Sequence, residues 1–230
     1  MIELDNVRFA YGDGPPALHV DRLVLDTGLT LVLGPNGSGK STLMRILAAV
    51  ERPDAGTVRI GGLDPWVDEV AARRGLAYVP EQPELTPYAT IGEIVQLVAR
   101  LRGETRAAAR AALAAAGLEG LERRSVRELS QGQRRRAILA AAFVGTPDTV
   151  LLDEPLEAMD RAMRAKILEW IAAARDRGAT VVIASHDLED LAAIADVALG
   201  LVGGRTTGAT SLPASREQRT IVLERLARGD

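Results

Sequence analysis

A stretch near the N-terminus, residues 34–42, constrains the fold of this chain more than any other feature. It reads Gly-Pro-Asn-Gly-Ser-Gly-Lys-Ser-Thr and fits the phosphate-binding loop pattern G-x-x-x-x-G-K-[ST]. A short apolar run, residues 29–33, precedes the loop, and Leu43, Ile46 and Leu47 follow it at helical spacing. The pattern therefore predicts an α/β fold in which this loop joins a buried strand to a helix.

Each residue type in the loop has a physical role. Glycines let the backbone approach a ligand closely, and successive N–H groups form a concave site for anionic oxygens. The helix expected to begin near Lys40 adds the positive end of its dipole. The chain has 28 basic residues, and only Lys40 and Lys166 among them are lysines. We expect Lys40 to contact the β- and γ-phosphates of a nucleotide, and Ser41 to ligate Mg²⁺ through its hydroxyl.

Composition excludes several classes of protein. The sequence contains no cysteine, so it has no disulfide, thiolate metal site or cysteine nucleophile. The net charge is −3, which gives no basic field of the kind that nucleic acid requires. The N-terminal residues are acidic and alternating, unlike a signal peptide, and the longest apolar stretches are far shorter than a membrane span. We expect a protein that serves any membrane process from the aqueous side.

Strand and helix patterns alternate along the chain, which favours a mainly parallel sheet. Between residues 86 and 145, alanine and arginine become frequent and strand formers rare, as is typical of an inserted helical subdomain. The core lobe is then formed by residues 1–85 and 146–210, and residues 211–230 are predicted to be an exposed C-terminal helix. Strands are predicted near residues 2–9, 19–25, 56–60, 76–79, 149–152, 179–184 and 197–202.

Two further motifs are suited to phosphate chemistry. An apolar strand ends at Asp153 and is followed by Glu154. One carboxylate at such a strand tip can hold Mg²⁺, usually through water, and the next can polarise an attacking water, although two solvated acids are the simpler alternative.

Residues 129–133 read Leu-Ser-Gln-Gly-Gln, in which Ser130 and Gln133 have the spacing of a capping box. A capped helix start after a glycine-bearing turn is also suited to a γ-phosphate.

Taken in order, these motifs resemble those of the nucleotide-binding subunits of ABC transporters, over essentially the whole chain. Residues 34–42 match the Walker A loop, 129–133 the signature, 150–153 the Walker B strand and 156–160 the D-loop, and His186 matches the switch histidine. The signature is the most specific of these because it separates ABC proteins from other phosphate-loop NTPases. The resemblance implies a single ABC ATPase domain over residues 1–230. Its P-loop NTPase fold has a RecA-like, mostly parallel sheet, an antiparallel β lobe and an inserted α-helical subdomain.

The resemblance also implies roles for individual residues. Glu154 is expected to be the general base, assisted by His186 and Lys40, and Tyr11 is expected to stack on adenine unless it is a core aromatic beside Phe9. The positions expected to contact ATP are Tyr11, Gly34, Pro35, Asn36, Gly37, Ser38, Gly39, Lys40, Ser41, Thr42, Ser130, Gly132, Gln133 and Gln82. The positions expected to hold Mg²⁺ are Ser41, Asp153 and Glu81.

Three positions depart from the family pattern. The signature has Gln131 where its best-known form has glycine, and the D-loop differs mildly. The glutamine that senses the γ-phosphate falls on Glu81 or, with a shift of one position, on Gln82. A glutamate there could still bind Mg²⁺, but it would add negative charge beside phosphate.

The resemblance implies a head-to-tail homodimer, or a heterodimer with a related subunit. ATP would lie between residues 34–42 of one chain and residues 130–133 of the other, and closure would drive membrane-spanning permease subunits from the cytoplasmic face. The alternatives are a soluble ABC-type ATPase acting on ribosomes or DNA, a nucleotide-dependent regulator without turnover, and a phosphate-loop kinase. No nucleic-acid partner is expected, because the arginine triplet at 134–136 is interpreted as a solvated helix face. The sequence indicates neither the substrate nor the direction of transport.

Overall fold

The computed structural model describes residues 1–83, 85–157 and 159–229, and these form nine strands and eight α-helices. The strands are β1 (Ile2–Ala10), β2 (Pro16–Leu25), β3 (Gly28–Leu33), β4 (Ala55–Ile60), β5 (Leu76–Val79), β6 (Thr149–Asp153), β7 (Thr180–Ala184), β8 (Val197–Val202) and β9 (Arg205–Ser211). The helices are α1 (Lys40–Leu47), α2 (Glu69–Arg74), α3 (Ile91–Leu101), α4 (Arg106–Ala115), α5 (Gln131–Phe143), α6 (Arg161–Asp176), α7 (Leu188–Ala192) and α8 (Arg216–Arg228).

The strands form one sheet in the order β4-β1-β2-β9-β8-β3-β7-β6-β5. Strands β8, β3, β7, β6 and β5 run parallel to one another, whereas β1 pairs antiparallel with β2 and β4. Every residue of β6 and β7 is buried, as expected for parallel strands covered on both faces. This topology confirms the predicted mostly parallel core with an antiparallel lobe.

The carboxyl ends of four parallel strands meet at one edge of the sheet. Val32 of β3 and Asp153 of β6 both pair with Ala184 of β7, and Val79 of β5 pairs with Leu152 of β6. The loops that begin at this edge therefore start side by side, and the crevice outside the carboxyl ends of parallel strands is where α/β folds bind ligands. The phosphate-loop motif, Glu154, His186 and the residues after Val79 all lie in these loops.

Three apolar clusters hold the layers together. One lies between α1 and the face of the sheet shared by β1, β2 and β4, and a second packs α6 and α8 against the opposite face of the parallel strands. The third lies among α3, α4 and α5, which occupy the stretch predicted to be helical. No helix in the described parts of the chain has the length and apolar character needed to cross a bilayer.

Two elements, α2 and β9, have no counterpart in the sequence prediction. Strand β9 reads Arg-Thr-Thr-Gly-Ala-Thr-Ser and is mostly exposed, so no apolar alternation marks it; its backbone pairs with β8. Strand β9 ends at Ser211, and the C-terminal helix, predicted over residues 211–230, begins only at Arg216. The prediction that this helix is exposed is wrong for one of its faces, on which Leu223 and Leu226 are buried against the sheet.

Candidate active site

A cleft of about 1330 Å³ opens at the carboxyl edge of the parallel strands. Residues from the phosphate-loop motif, the end of β6, the loop after β5 and the loop after β7 line it. The residues singled out from the sequence that line this cleft are Tyr11, Asn36, Gly37, Gly39, Lys40, Ser41, Thr42, Glu81, Asp153, Glu154 and His186. The fold thus brings side chains that are up to 175 positions apart in the chain to one site.

The backbone of residues 34–42 fits tightly into the fold and leads directly into α1. A Cβ atom at Gly34 would lie 2.1 Å from the carbonyl oxygen of Leu201, so a larger residue would force the loop to move. Gly39 has φ 102°, in the left-handed region that favours glycine, and it is followed at once by α1. The first N–H groups of a helix have no intrahelical acceptor, so this junction offers donors and a positive dipole end to an anion.

The Lys40 ammonium lies buried across the loop. Its Nζ atom donates to the carbonyl oxygens of Gly34, at 2.8 Å, and Pro35, at 3.1 Å. Burial lowers the pKa of Lys40, and the nearby carboxylates of Glu154, Asp153 and Glu81 act in the opposite direction. The Ser38 hydroxyl is buried and has no hydrogen-bond partner among the described residues. A cation and an unsatisfied hydroxyl inside a loop of backbone donors fit a phosphate chain.

Asp153, at the tip of β6, is only 4% exposed. Burial raises its pKa; Glu81 and Glu154 also raise it, while contact with the Ser41 side chain and the charge of Lys40 lower it. Among the described residues, no three His, Cys, Asp or Glu side chains converge as a metal cage. Mg²⁺ usually retains water and takes one or two carboxylates together with substrate phosphates, so Ser41 and Asp153 fit a metal shared with a nucleotide.

The Glu154 carboxylate is fixed at the edge of the cleft by two hydrogen bonds. The Ser185 hydroxyl donates to its Oε2 atom at 2.8 Å, and the His186 backbone N–H donates to Oε1 at 3.0 Å. The imidazole Nε2 atom of His186 lies 3.7 Å from Oε1. Glu154 itself adopts φ 48°, a left-handed conformation that costs an L-residue about 1–2 kcal/mol. The fold thus holds a carboxylate and an imidazole together near Lys40 and Asp153.

Tyr11 and Phe9 differ in their surroundings. Phe9 is buried in the cluster beside α1, whereas Tyr11 is 48% exposed on the wall of the cleft. The Tyr11 hydroxyl lies 3.2 Å from the Thr42 hydroxyl, and the two aromatic rings meet edge to face with centroids 4.9 Å apart. Phe9 is therefore the core aromatic of the two, while the Tyr11 ring is exposed at the cleft.

Glu81 and Gln82 differ in their access to the cleft. Glu81 lines the cleft with Asp153 and also borders a neighbouring groove, whereas Gln82 lines that groove, with Gln131 and Arg134, and is not among the residues that line the cleft. The predicted contacts Ser130, Gly132 and Gln133 are not among the residues that line the cleft.

The signature turn instead forms the predicted capping box at the start of α5. The Gln133 N–H donates to the Ser130 hydroxyl at 3.2 Å, and the Ser130 N–H donates to the Gln133 side chain at 3.0 Å. Within a single copy of the chain, this turn is thus separate from the phosphate-loop motif.

The family model described as ABC transporter matches residues 23–157. The chain belongs to the ABC transporter family.

Curated relatives of this ABC protein are ATP-binding subunits. The thiamine import ATP-binding protein ThiQ of Chelativorans sp. is 36% identical over 223 residues, covering 92% of this chain and 88% of the relative. The sulfate/thiosulfate import ATP-binding protein CysA of Mycobacterium tuberculosis is 36% identical over 201 residues, covering 85% of this chain. The matched region spans 57% of that longer relative.

Solved ABC cassettes share the fold. A dimeric post-hydrolysis state of an ATP-binding cassette bound to ADP and Pi has a TM-score of 0.82 and 27% identity, covering 94% of this chain and all of that one. An ATP-binding subunit of an ABC transporter has a TM-score of 0.86 at 24% identity, covers 97% of this chain and 99% of that one, and shows likeness of fold alone. These findings confirm the predicted family, and the chain is an ATP-binding and ATP-hydrolysing subunit.

One arginine of this ABC ATPase contradicts the sequence prediction. The pattern at 134–136 predicts a solvated face, but Arg135 is only 7% exposed and contacts backbone on both sides of the cleft floor. Helical spacing could have revealed it, because Arg135 lies four positions before the buried Leu139 and seven before the buried Ala142. Arg134, by contrast, is exposed.

Two other contacts of the ABC ATPase lie beside the D-loop. Arg164 of α6 forms ion pairs with Asp187 and Asp190 in the segment that follows His186. Asp160, the last residue of the D-loop, caps α6 by accepting the Met163 N–H at 2.8 Å. The D-loop residue Ala158 lies outside the described residues.

Proposed function

We propose that this ABC ATPase hydrolyses ATP in the cleft at the carboxyl edge of the sheet, with Glu154 as the general base. The observation that carries the proposal is the Glu154 carboxylate, which Ser185 and the His186 backbone hold beside the phosphate-loop motif. Phosphoryl transfer needs little covalent help from the protein, and it depends on positioning the water and stabilising charge. Glu154 accepts the proton of the attacking water, and His186 orients that water and the γ-phosphate.

The remaining cleft residues bind and orient the nucleotide. The backbone of residues 34–42 and Lys40 hold the phosphates, and Tyr11 stacks on the adenine. Ser41 and Asp153 would hold Mg²⁺, and Glu81, whose charge acts on Asp153, would favour the same ion. When bound, Mg²⁺ would supply positive charge to the phosphate oxygens. The burial of Asp153 beside Glu81 and Glu154, which raises its pKa, supports this assignment, because a cation offsets both the desolvation of a carboxylate and its repulsion by neighbouring carboxylates.

We also propose that the active form is a head-to-tail dimer. The signature turn, residues 130–133, lies apart from the cleft within one copy, and a second copy can place it there. Two solved structures of one ABC transporter cassette, at 27% and 28% identity to this chain, are dimeric. In this arrangement Ser130 and Gly132 of one chain contact the γ-phosphate held by the other chain.

The dimer is proposed to energise import through membrane-spanning permease subunits, from the cytoplasmic side. Two relatives that cover most of this chain are import ATP-binding proteins, and they support this direction. The helical subdomain and the segment after Val79 are the surfaces proposed to transmit closure to the permease.

The Glu154→Gln variant tests the proposal, because it keeps the size and hydrogen-bonding shape of the side chain but removes the base. We expect kcat to fall at least about 100-fold, since a general base contributes about 10²–10⁴-fold. ATP affinity should stay within about threefold, because the phosphate-binding groups are unchanged. ATP turnover and binding of a fluorescent ATP analogue measure the two quantities.

Glu189→Gln is the matched control, since Glu189 is an exposed carboxylate at the rim of the same cleft. It should leave both quantities unchanged. If the Glu154→Gln protein retained wild-type turnover, Glu154 would not be the general base.

A further inference from the structure

A single guanidinium group ties α5 to two loops of the cleft. The Arg135 Nη1 atom donates to the carbonyl oxygens of Pro80, at 3.1 Å, and Glu81, at 2.6 Å. Its Nη2 atom donates to the carbonyl oxygens of Asp153, at 2.9 Å, and Glu154. Four carbonyl groups, from the segment after β5 and from the tip of β6, thus converge on one side chain of the helical subdomain.

The cost of burying this charge argues against a purely packing role. Burial lowers the pKa of Arg135, and the carboxylates of Glu157, Asp153, Glu154 and Glu81 raise it. The Nε atom is buried without a hydrogen-bond partner among the described residues. An apolar side chain would fill the same space without these costs, since buried charges and unsatisfied donors are unfavourable.

The contact with the Glu154 carbonyl coincides with the strained backbone of that residue. Glu154 has φ 48°, and its N–H donates to the Ala184 carbonyl oxygen at 2.9 Å. Arg135 holds the carbonyl group on the other side of the same residue. A left-handed conformation persists only where the surroundings fix it, and these two hydrogen bonds fix both peptide groups of Glu154. The side-chain direction of Glu154 follows from this backbone conformation.

We propose that Arg135 is a positioning residue for ATP hydrolysis, which holds Glu154 in the conformation that keeps its carboxylate at the cleft. The same guanidinium fixes the backbone of Glu81. Ser130 is the N-cap of α5, and Arg135 lies in the second turn of the same helix. The backbone of Glu81 and Glu154 is therefore linked through α5 to the signature turn. The inference rests on the proposed role of Glu154 as the base.

Substitutions at Arg135 separate positioning from binding. Arg135→Met removes the charge and all four hydrogen bonds at similar size, and we expect kcat to fall about 100-fold, as a catalytic group misplaced by about 1 Å does. The Kd for ATP should stay within about threefold, because no phosphate contact is lost. Arg135→Lys keeps the charge but not the planar fork, and it should recover about tenfold of the lost kcat.

Arg136→Met is the matched control. Arg136 is the next residue on α5 and donates to the carbonyl oxygens of Ala116 and Gly117 at the end of α4, away from the cleft. Its loss should reduce thermal stability but leave kcat within about twofold of wild type.

A double-mutant cycle tests whether Arg135 acts through Glu154. In the Glu154→Gln background, Arg135→Met should lower the residual rate by less than about twofold, because the group it positions is already gone. Single-turnover hydrolysis followed over hours measures these slow rates. A further fall of about 100-fold in that background would overturn the inference, because the effects of independent sites multiply.

The outcomes also separate this inference from the proposed function. If Glu154→Gln abolishes turnover and folded Arg135→Met retains wild-type kcat, only the role of Arg135 is overturned. If Glu154→Gln retains turnover, the proposed base is wrong. If Arg135→Met does not fold, Arg135→Lys and its double mutant with Glu154→Gln decide between the same outcomes.

Discussion

At the scale of single residues, the charges at the cleft floor bear on the proposed requirement for Mg²⁺. Asp153, Glu154 and Glu81 face Lys40, and Glu81 is among the groups that raise the pKa of Asp153. In a site without metal these carboxylates repel one another, and a divalent cation relieves the repulsion. We therefore propose that Glu81 adds affinity for Mg²⁺, at a position where the family pattern expects a neutral glutamine.

We predict that Glu81→Gln raises the Mg²⁺ concentration for half-maximal ATPase activity about tenfold, which corresponds to ~1.4 kcal/mol. At saturating Mg²⁺, kcat should stay within about threefold, because the base and the phosphate contacts remain. Magnesium titrations of ATP turnover measure both. Gln82→Ala, one position along in the neighbouring groove, should leave the titration unchanged. An equal response of the two variants would contradict the role of Glu81.

Some residues of the candidate site could be predicted from the sequence, and others could not. The phosphate-loop motif, Asp153 and Glu154 could be placed because local strand and helix patterns fix where each lies. The choice between Glu81 and Gln82 could not be made, because the turn after Val79 decides which side chain faces the cleft. Helical spacing marks Arg135 as a buried position, but its partners are carbonyl groups, which no sequence pattern identifies, so its contacts could not be predicted.

At the scale of elements, Ser130 combines a structural role with a proposed functional one. Its hydroxyl caps α5, yet the proposed dimer brings the same group to a phosphate. We predict that Ser130→Asp retains the cap, since aspartate is an equally good N-cap, and leaves Tm within about 2 °C of wild type. ATP turnover should fall at least about 100-fold, because the new carboxylate repels the γ-phosphate. Thermal melts and turnover assays test the two statements separately.

Thr105→Asp serves as the control, because Thr105 caps α4 through the same type of hydrogen bond. It should change neither Tm nor turnover appreciably. If Ser130→Asp kept full activity, the capping box would account for the turn and the signature assignment would fail.

Elements were predictable where side chains alone define them. Strands β6 and β7 are buried on both faces and read as continuous apolar runs. Strand β9 was missed because its backbone pairing with β8, and no pattern of its side chains, makes it a strand. The order of the nine strands in the sheet also depends on pairing between distant segments, so only the mixture of parallel and antiparallel strands could be predicted.

At the scale of the whole molecule, the separation of the two ATP-binding motifs within one copy leads to a prediction about mixed dimers. In a head-to-tail dimer, each site takes residues 34–42 from one chain and residues 130–133 from the other. Lys40→Ala and Ser130→Asp should each inactivate both sites of their own homodimers. A heterodimer of the two variants combines both defects in one site and leaves the second site intact.

We therefore expect an equal mixture of the two inactive proteins to regain about a quarter of wild-type turnover, because about half of the dimers are mixed and each has one intact site. ATPase assays over a range of mixing ratios measure this recovery. The control mixes wild type with an equal amount of a chain that carries both substitutions. Its heterodimers have one defect in each site, so only the wild-type homodimers, about a quarter of all dimers, should turn over ATP. About half of wild-type turnover in the control, with no recovery in the test mixture, would show that each site is built from a single chain, and the head-to-tail dimer would be wrong.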